Sequence, residues 1–485
     1  MSQPMFSKKT ILACLPVLAC TLAGAALDDS VALSDATRRL AHDIFQQLIE
    51  INTTDSAGST TLAADAMAKR LLDAGFPAAD VQVLGPNDRK GNMVARIHGS
   101  GGASLKPILI IGHLDVVEAR REDWTTDPFR FVEKDGYYYG RGTQDMKVDD
   151  AILVTTFIRF HDEGFRPDRD IVLALTADEE GGKFNGVEWL LKNHRNLIDA
   201  AFALNADAGG ITTDHGKPVN VDVEASEKLY ADFQVTATNP GGHSSLPVPD
   251  NAIYHIADAL GRLEHTVFPV ELNAITRTYF ERRAALEPAQ VKADMNAILR
   301  DPPDSAAVAR LSQDPRYNSM LRTTCVATRL NAGHANNALP QMAEANVNCR
   351  ILPGHSAAEV RRNLVEIFAD PKVTVRYVDD AGNIGQRDPD SKGFAPVLPP
   401  PQVLQPLERV AAGIWPGIPV IPEMETGASD SVYTVAAGIP SYGINGVAID
   451  QDDIRAHGRD ERVRVGSYYD GVEFYYRYLK ALTSR

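Results

Sequence analysis

The chain has 485 residues, 44% hydrophobic and 23% charged, and a formal net charge of −15. That length exceeds what one ordinary core fills, so two domains are expected. The acidic balance argues against nucleic acid or an anionic membrane surface as main partner, because both need a basic footprint.

Lys8-Lys9 precede an apolar run over 10–19, then Ala23-Gly24-Ala25-Ala26 and Asp28-Asp29. This order predicts an export signal over 1–26, cleaved after Ala25 or Ala26, with a periplasmic or secreted product that keeps no membrane segment. The run is short for a transmembrane helix. An uncleaved anchor and a lipoprotein signal at Cys20 are the alternative readings. Cys14 and Cys20 would leave with the signal. Cys325 and Cys349 lie in strand-like segments able to pair antiparallel, and a disulfide and two buried free thiols are both open.

Helices are expected from Ser34-Asp35, with Leu40, Ile44 and Leu48 on one face, and over 62–74, before Gly75. Short strands follow at 81–84 and 92–97. Four consecutive aliphatics, Ile108 to Ile111, then read as a strand buried on both faces, the look of a central parallel strand. It runs into Gly112-His113-Leu114-Asp115. In open α/β sheets ligands sit at that end of the strands. A hairpin is expected over 124–139. Asp145 stands before a helix over 149–163, and its ordinary reading is the N-cap of that helix. The buried strand 170–176 ends in Asp178-Glu179-Glu180. The strand 201–205 ends near Asp207.

Alternating strands and helices predict a mostly parallel sheet with flanking helices, an α/β fold. Three strands would then bring His113 and Asp115, Glu179 and Glu180, and Asp207 to one sheet edge, with Asp145 among them. Clustered acids repel unless they are solvated or neutralised by a cation. Beyond 227 an alternating strand, helices near 251–263 and 357–369, and strands at 323–330, 343–351 and 373–378 predict an inserted α+β domain over 227–379. Residues 264–317 are poorly patterned. The first domain, 27–226, would resume over 380–485, with a linker or rim loop at 379–402, a helix at 404–414 and a last helix at 471–482.

His113, Asp145, an acid of the Glu179-Glu180 pair, Asp207 and a late histidine, without clustered cysteines, make a donor set suited to zinc, with Mn²⁺ or Co²⁺ as substitutes. There are more donors than one metal needs, and a carboxylate bridging two metals uses them all.

The motifs GHLDVV (112–117), GRGTQDMK (140–147), ADEEGG (177–182), NADAGG (205–210), GGHSS (241–245), NALP (337–340), CRILPG (349–354) and AHGRDE (456–461) occur in one order along the chain. In this the chain resembles the co-catalytic di-zinc aminoacylase/carboxypeptidase family, nearest its vacuolar Gly-Xaa carboxypeptidase and secreted N-acyl-amino-acid hydrolase branch. The resemblance implies two Zn²⁺ bridged by Asp145. His113 and Asp207 would complete one site, Glu180 and His457 the other. Asp115 would hold the His113 ring, and Glu179 would be the general base. A cis peptide would follow Asp145. His243 would support the oxyanion from an inserted lid, often in a partner subunit. Asn337, Arg350 and Gly427 would contact substrate, Arg350 as receiver of a free carboxylate. A homodimer through the lid is implied too. The family often has proline after GHLDVV, where this chain has Glu118.

The function expected is cleavage of an amide bond beside a free carboxylate, in small peptides as a carboxypeptidase or dipeptidase. The alternative is an N-acyl-amino-acid hydrolase. A non-catalytic exported binding protein on the same fold is the contrasting class, and retention of Glu179 and five ligands speaks against it. The chain holds no G-x-S-x-G elbow and no HExxH.

Overall fold

A computed structural model of the chain describes residues 33–102, 105–379, 382–385 and 396–484. The expected export signal lies outside them, as does half of the expected linker. Among the described residues no helix is long and apolar enough to cross a membrane.

The strand Ile108–His113 sits between Ile171–Thr176 and Phe202–Asn205, parallel to both. All six of its residues are buried. Side chains alternate across a strand, so Ile108 and Ile110 feed one apolar cluster while Leu109 and Ile111 feed another. The first cluster is covered by the helices Asp35–Glu50, Thr60–Asp73, Lys147–Asp162, Pro401–Ile414 and Val465–Leu482. The second is covered by Gly186–Asn193 and its neighbours. The core thus lies on both faces of one sheet, as the unbroken aliphatic run requires.

That sheet has ten strands. Beyond Phe202–Asn205 it continues through Ser441–Gly443 to Lys217–Glu227, which pairs antiparallel with Gly210–Asp214 and parallel with Val420–Glu425. Chain from after residue 400 therefore completes a sheet begun before residue 100.

A second sheet of four antiparallel strands has the order Thr324–Ala332, Met342–Ile351, Leu229–Thr238, Val373–Val378. Its Ala and Val positions pack against the helices Ala252–Glu264 and Ala357–Phe368. Cys325 and Cys349 stand opposite each other in adjacent strands and form a disulfide. Four helices, Ala274–Arg283, Ala289–Ile298, Ser305–Leu311 and Pro315–Leu321, occupy the stretch of poor pattern. They fall inside the segment assigned to the inserted domain, yet their apolar cluster includes Ile421 of the ten-stranded sheet.

Candidate metal centre

His113 is the last residue of its strand, and Asp207 follows Phe202–Asn205 by two residues. Glu180 lies in the loop after Ile171–Thr176. His457 arrives from the loop before Arg462–Arg464 and adopts φ 62°, a conformation that non-glycine residues hold mainly at special sites. These groups converge on Asp145. His113 Nε2 lies 3.1 Å from Asp145 Oδ1 and 3.4 Å from Asp207 Oδ1. His457 Nε2 lies 3.0 Å from Asp145 Oδ2 and 2.9 Å from Glu180 Oε2. His113, Asp145 and Asp207 form one group able to hold a metal, and Asp145, Glu180 and His457 a second. Asp145 belongs to both, one oxygen to each. Glu179 belongs to neither.

Asp145 does not cap the helix behind it. Met146 occupies the N-cap of Lys147–Asp162, and the Asp145–Met146 peptide is cis. Gly142, at φ 96°, lets the preceding turn close, since a Cβ there would meet the Lys147 side chain at 2.8 Å.

The role expected of Asp115 is corrected in one respect. His113 Nδ1 lies 3.0 Å from the Asp115 backbone carbonyl and 3.8 Å from its carboxylate. The carbonyl therefore orients the ring. The carboxylate accepts the backbone N–H of Glu179 at 3.2 Å and of Glu180 at 3.0 Å, fixing the acidic loop against the strand end.

A carbonyl at Nδ1 requires the proton there, so in the neutral ring Nε2 carries a lone pair. That lone pair faces two carboxylate oxygens. Nε2 and Asp145 Oδ1 are buried and have no hydrogen-bond partner. Acceptors facing acceptors are stable only with a proton or a cation between them. The donor set fits divalent metal on this ground. In the protein groups alone, burial disfavours the His113 charge, but Asp207 and Asp145 raise its pKa well above the ordinary value. Hydrogen bonds to Asp145 and Glu180 push His457 up to about 10. Burial resists ionisation of Asp145, yet the two imidazoles hold its carboxyl below the usual range. Metal cations at the site would act oppositely on the imidazoles, displacing their protons. Burial pushes Glu179 up to about 10.

Four supporting residues, Glu461, Arg141, Lys90 and Asp430, escaped the sequence reading. Glu461 is fully buried, and its Oε1 accepts the backbone N–H of Gly142 at 3.2 Å, Gln144 at 2.6 Å and Asp145 at 3.1 Å. Arg141 pairs with its other oxygen. Lys90 forms a buried ion pair with Asp178, just before Glu179, and also reaches Asp55 at 2.6 Å. Asp430 accepts from Thr176 at 3.2 Å and Asn185 at 2.6 Å, bracing the end of the Glu-bearing strand. The position of Glu461 within AHGRDE was its one available signal. Glu118, where the family often has proline, receives the Ser56 N–H and hydroxyl at 3.0 and 2.9 Å.

The remaining expected residues lie outside both metal groups. His243 is exposed on a two-stranded ribbon opposite Ala338, its Nδ1 held by the Ser245 hydroxyl at 2.8 Å. Asn337 is exposed on the same ribbon's approach, and its carbonyl accepts the Ser244 N–H at 3.1 Å. Arg350 stacks over the Tyr230 ring at 4.7 Å on the four-stranded sheet. Gly427 is exposed in the loop after Val420–Glu425.

Residues 109–481 match the family model described as Peptidase family M20/M25/M40. The chain belongs to that family. It is 29% identical over 388 residues to the "Probable carboxypeptidase S-like 2" of Dictyostelium discoideum, covering 78% of this chain and 72% of that protein. It is 28% identical over 388 residues to the human "N-fatty-acyl-amino acid synthase/hydrolase PM20D1", covering 78% and 74%. Among solved structures, an M20 family metallo-carboxypeptidase from Sulfolobus solfataricus superposes with a TM-score of 0.66 at 16% identity, covering 91% of this chain and 99% of that one. Human carnosine dipeptidase 1 gives 0.61 at 15%, covering 93% and 97%. These two likenesses speak to the fold. Family membership makes the chain a metal-dependent hydrolase of the metallopeptidase, carboxypeptidase and aminoacylase type.

Proposed function

We propose that the protein is an exported di-zinc hydrolase that cleaves the amide bond next to a free carboxylate in small peptides. The observation that carries this reading is the shared carboxylate. Each Asp145 oxygen faces a different imidazole, so the site divides into two three-residue donor sets. His113, Asp145 and Asp207 would hold one zinc, and Asp145, Glu180 and His457 the other. Bound there, the pair would supply Lewis-acid polarisation and a lowered water pKa.

The chain's own residues supply the proton traffic. Glu179 is kept out of both donor sets, and cations held beside it would offset the burial that raises its pKa, leaving a carboxylate able to accept a proton and return it to the leaving nitrogen. Its backbone is held by Asp115, and its neighbour Asp178 by Lys90. Both contacts fix where the base stands. On the four-stranded sheet, Arg350 offers paired N–H donors for a substrate carboxylate. His243, exposed on its ribbon, suits an oxyanion contact made across a homodimer.

An exported location is supported by the charged, apolar and small-residue order of the N-terminus and by the Cys325–Cys349 disulfide. Relatives whose names specify N-fatty-acyl-amino acid hydrolysis and aminoacylase activity keep the N-acyl-amino-acid reading as the alternative. The test is amino-acid release, by mass spectrometry, from dipeptides and matching N-acyl amino acids with a chelated control. Chelator-sensitive release from dipeptides supports the proposal. Release from N-acyl substrates alone makes the protein an aminoacylase, and no release from either refutes both.

A further inference from the structure

Lys217–Glu227 and Val420–Glu425 run parallel in the ten-stranded sheet. Both carry acids at alternate positions, Asp222 and Glu224 on one, Glu423 and Glu425 on the other, with Glu423 in register with Glu224. Alternation directs such residues to one face. Asp222, Glu224 and Glu423 are 6%, 2% and 5% exposed. Burial pushes all three carboxyls up. A sheet interior with this many acids asks for positive charge.

The chain supplies little. A cavity of about 490 Å³ is lined by Asp145 and Asp207 of the metal groups and also by Asp222, Arg316, Glu423 and Glu425. Arg316 is the one cation among the described residues lining it, and it is engaged with Glu423 at 3.2 Å. Nearby Arg283 is held by Glu287 at 2.6 Å and Asn220 at 3.0 Å. Asp222 Oδ2 accepts from Thr212 at 2.9 Å, while its Oδ1 is buried without a hydrogen-bond partner, as is Glu224 Oε2.

We propose that this cavity is the acyl-side specificity pocket and that it selects a cationic group, with Asp222 and Glu425 as the specificity-determining residues. The inference rests on the amide-hydrolase reading above. An ammonium entering from the metal groups meets the carboxylates of Asp222 and Glu425, and Asp222 Oδ1 has no hydrogen-bond donor from the protein. A neutral acyl chain leaves the Asp222 oxygen buried and unpaired, the situation in which polar pockets reject analogues most strongly. Two sources present this chemistry, the α-ammonium of a short peptide and the side chain of a basic acyl residue.

Four peptides separate them: Gly-Leu against N-formyl-Gly-Leu for the α-ammonium, and N-formyl-Lys-Leu against N-formyl-norleucyl-Leu for the side chain. With the zinc-loaded full chain, kcat/KM for the charged member of at least one pair should exceed its neutral partner by about tenfold or more. Asp222→Asn should bring that ratio close to one, and Glu425→Gln does the same test should Asp222→Asn fail to fold by circular dichroism. Equal kcat/KM within both pairs, or a ratio unmoved in the folded variants, overturns the proposal. Calorimetry of the same peptides on zinc-loaded Glu179→Gln protein keeps the two readings apart. If no peptide is hydrolysed by the wild type, the hydrolase reading fails. Tighter binding of a charged member still supports the cationic pocket, and equal binding overturns it.

Discussion

The buried Glu461 carboxylate accepts the backbone N–H of Asp145 at 3.1 Å. Glu461 lies four residues beyond His457, so one short segment both contributes an imidazole and braces the carboxylate that the imidazole faces. The loop carrying Asp145 is thereby set by a charge-assisted contact from the far end of the sequence.

Glu461→Gln should consequently loosen the centre without removing a ligand. One oxygen is exchanged for an amide that cannot accept from Arg141. Zinc affinity, measured by competition against a chromogenic chelator, should fall about 10- to 100-fold with the fold retained. Affinity unchanged from wild type would remove Glu461 from the support of the site.

Glu179→Gln should separate chemistry from binding. Glu179 is outside both donor groups, so zinc content should be unchanged while kcat drops by about 10²- to 10⁴-fold. A loss of zinc in parallel with kcat would show that Glu179 is a ligand rather than a base.

The pair Lys90–Asp178 is a stability prediction. The Asp178 side chain is 0% exposed and that of Lys90 9%. Lys90→Met leaves a carboxylate buried beside no cation and should cost about 3–5 kcal/mol in denaturant unfolding. Adding Asp178→Asn to it should recover part of that loss, and a further loss in the double variant would contradict the pairing.

His255 predicts a pH dependence remote from the metal groups. Hydrogen bonds to Asp250 and Asp370, at 2.9 and 2.6 Å, raise its pKa above the ordinary 6.5, while Lys372 pairs with Asp250 at 2.5 Å. The folded state thus binds this proton more tightly than the unfolded one. Its contribution is fully present below about pH 6.5 and is lost as pH rises through the folded value. The melting temperature should fall across that window in the wild type and fall less in His255→Gln. Identical pH profiles would contradict the assignment.

The parallel core was legible because Ile108 to Ile111 leaves a strand no polar face. The convergence of His113, Glu179, Glu180 and Asp207 was legible from strand ends, whereas the places of Asp145 and His457 came with the family resemblance. The strand Lys217–Glu227 was not legible. Its Asp222 and Glu224 are buried, and acids at alternate positions read as a solvated face until the partner strand is known. The helices over residues 274–321 were mostly hidden for a related reason. Ala274–Arg283 buries only Ile275, Thr276, Tyr279 and Phe280, a short stripe diluted by three arginines. Asp145 read by itself as a cap because a carboxylate before a helix usually is one. Met146 takes that position, and the neighbouring imidazoles, distant in sequence, give Asp145 its other use.

Metal stoichiometry addresses the shared-carboxylate centre most directly. Zinc per chain would be counted by inductively coupled plasma mass spectrometry on the full chain and on Asp145→Ala, after dialysis against dilute zinc. Two zinc ions per wild-type chain, with both lost or weakened together in Asp145→Ala, is the predicted result. One ion or none in the wild type, or an Asp145→Ala protein that keeps both, would contradict a centre bridged by Asp145.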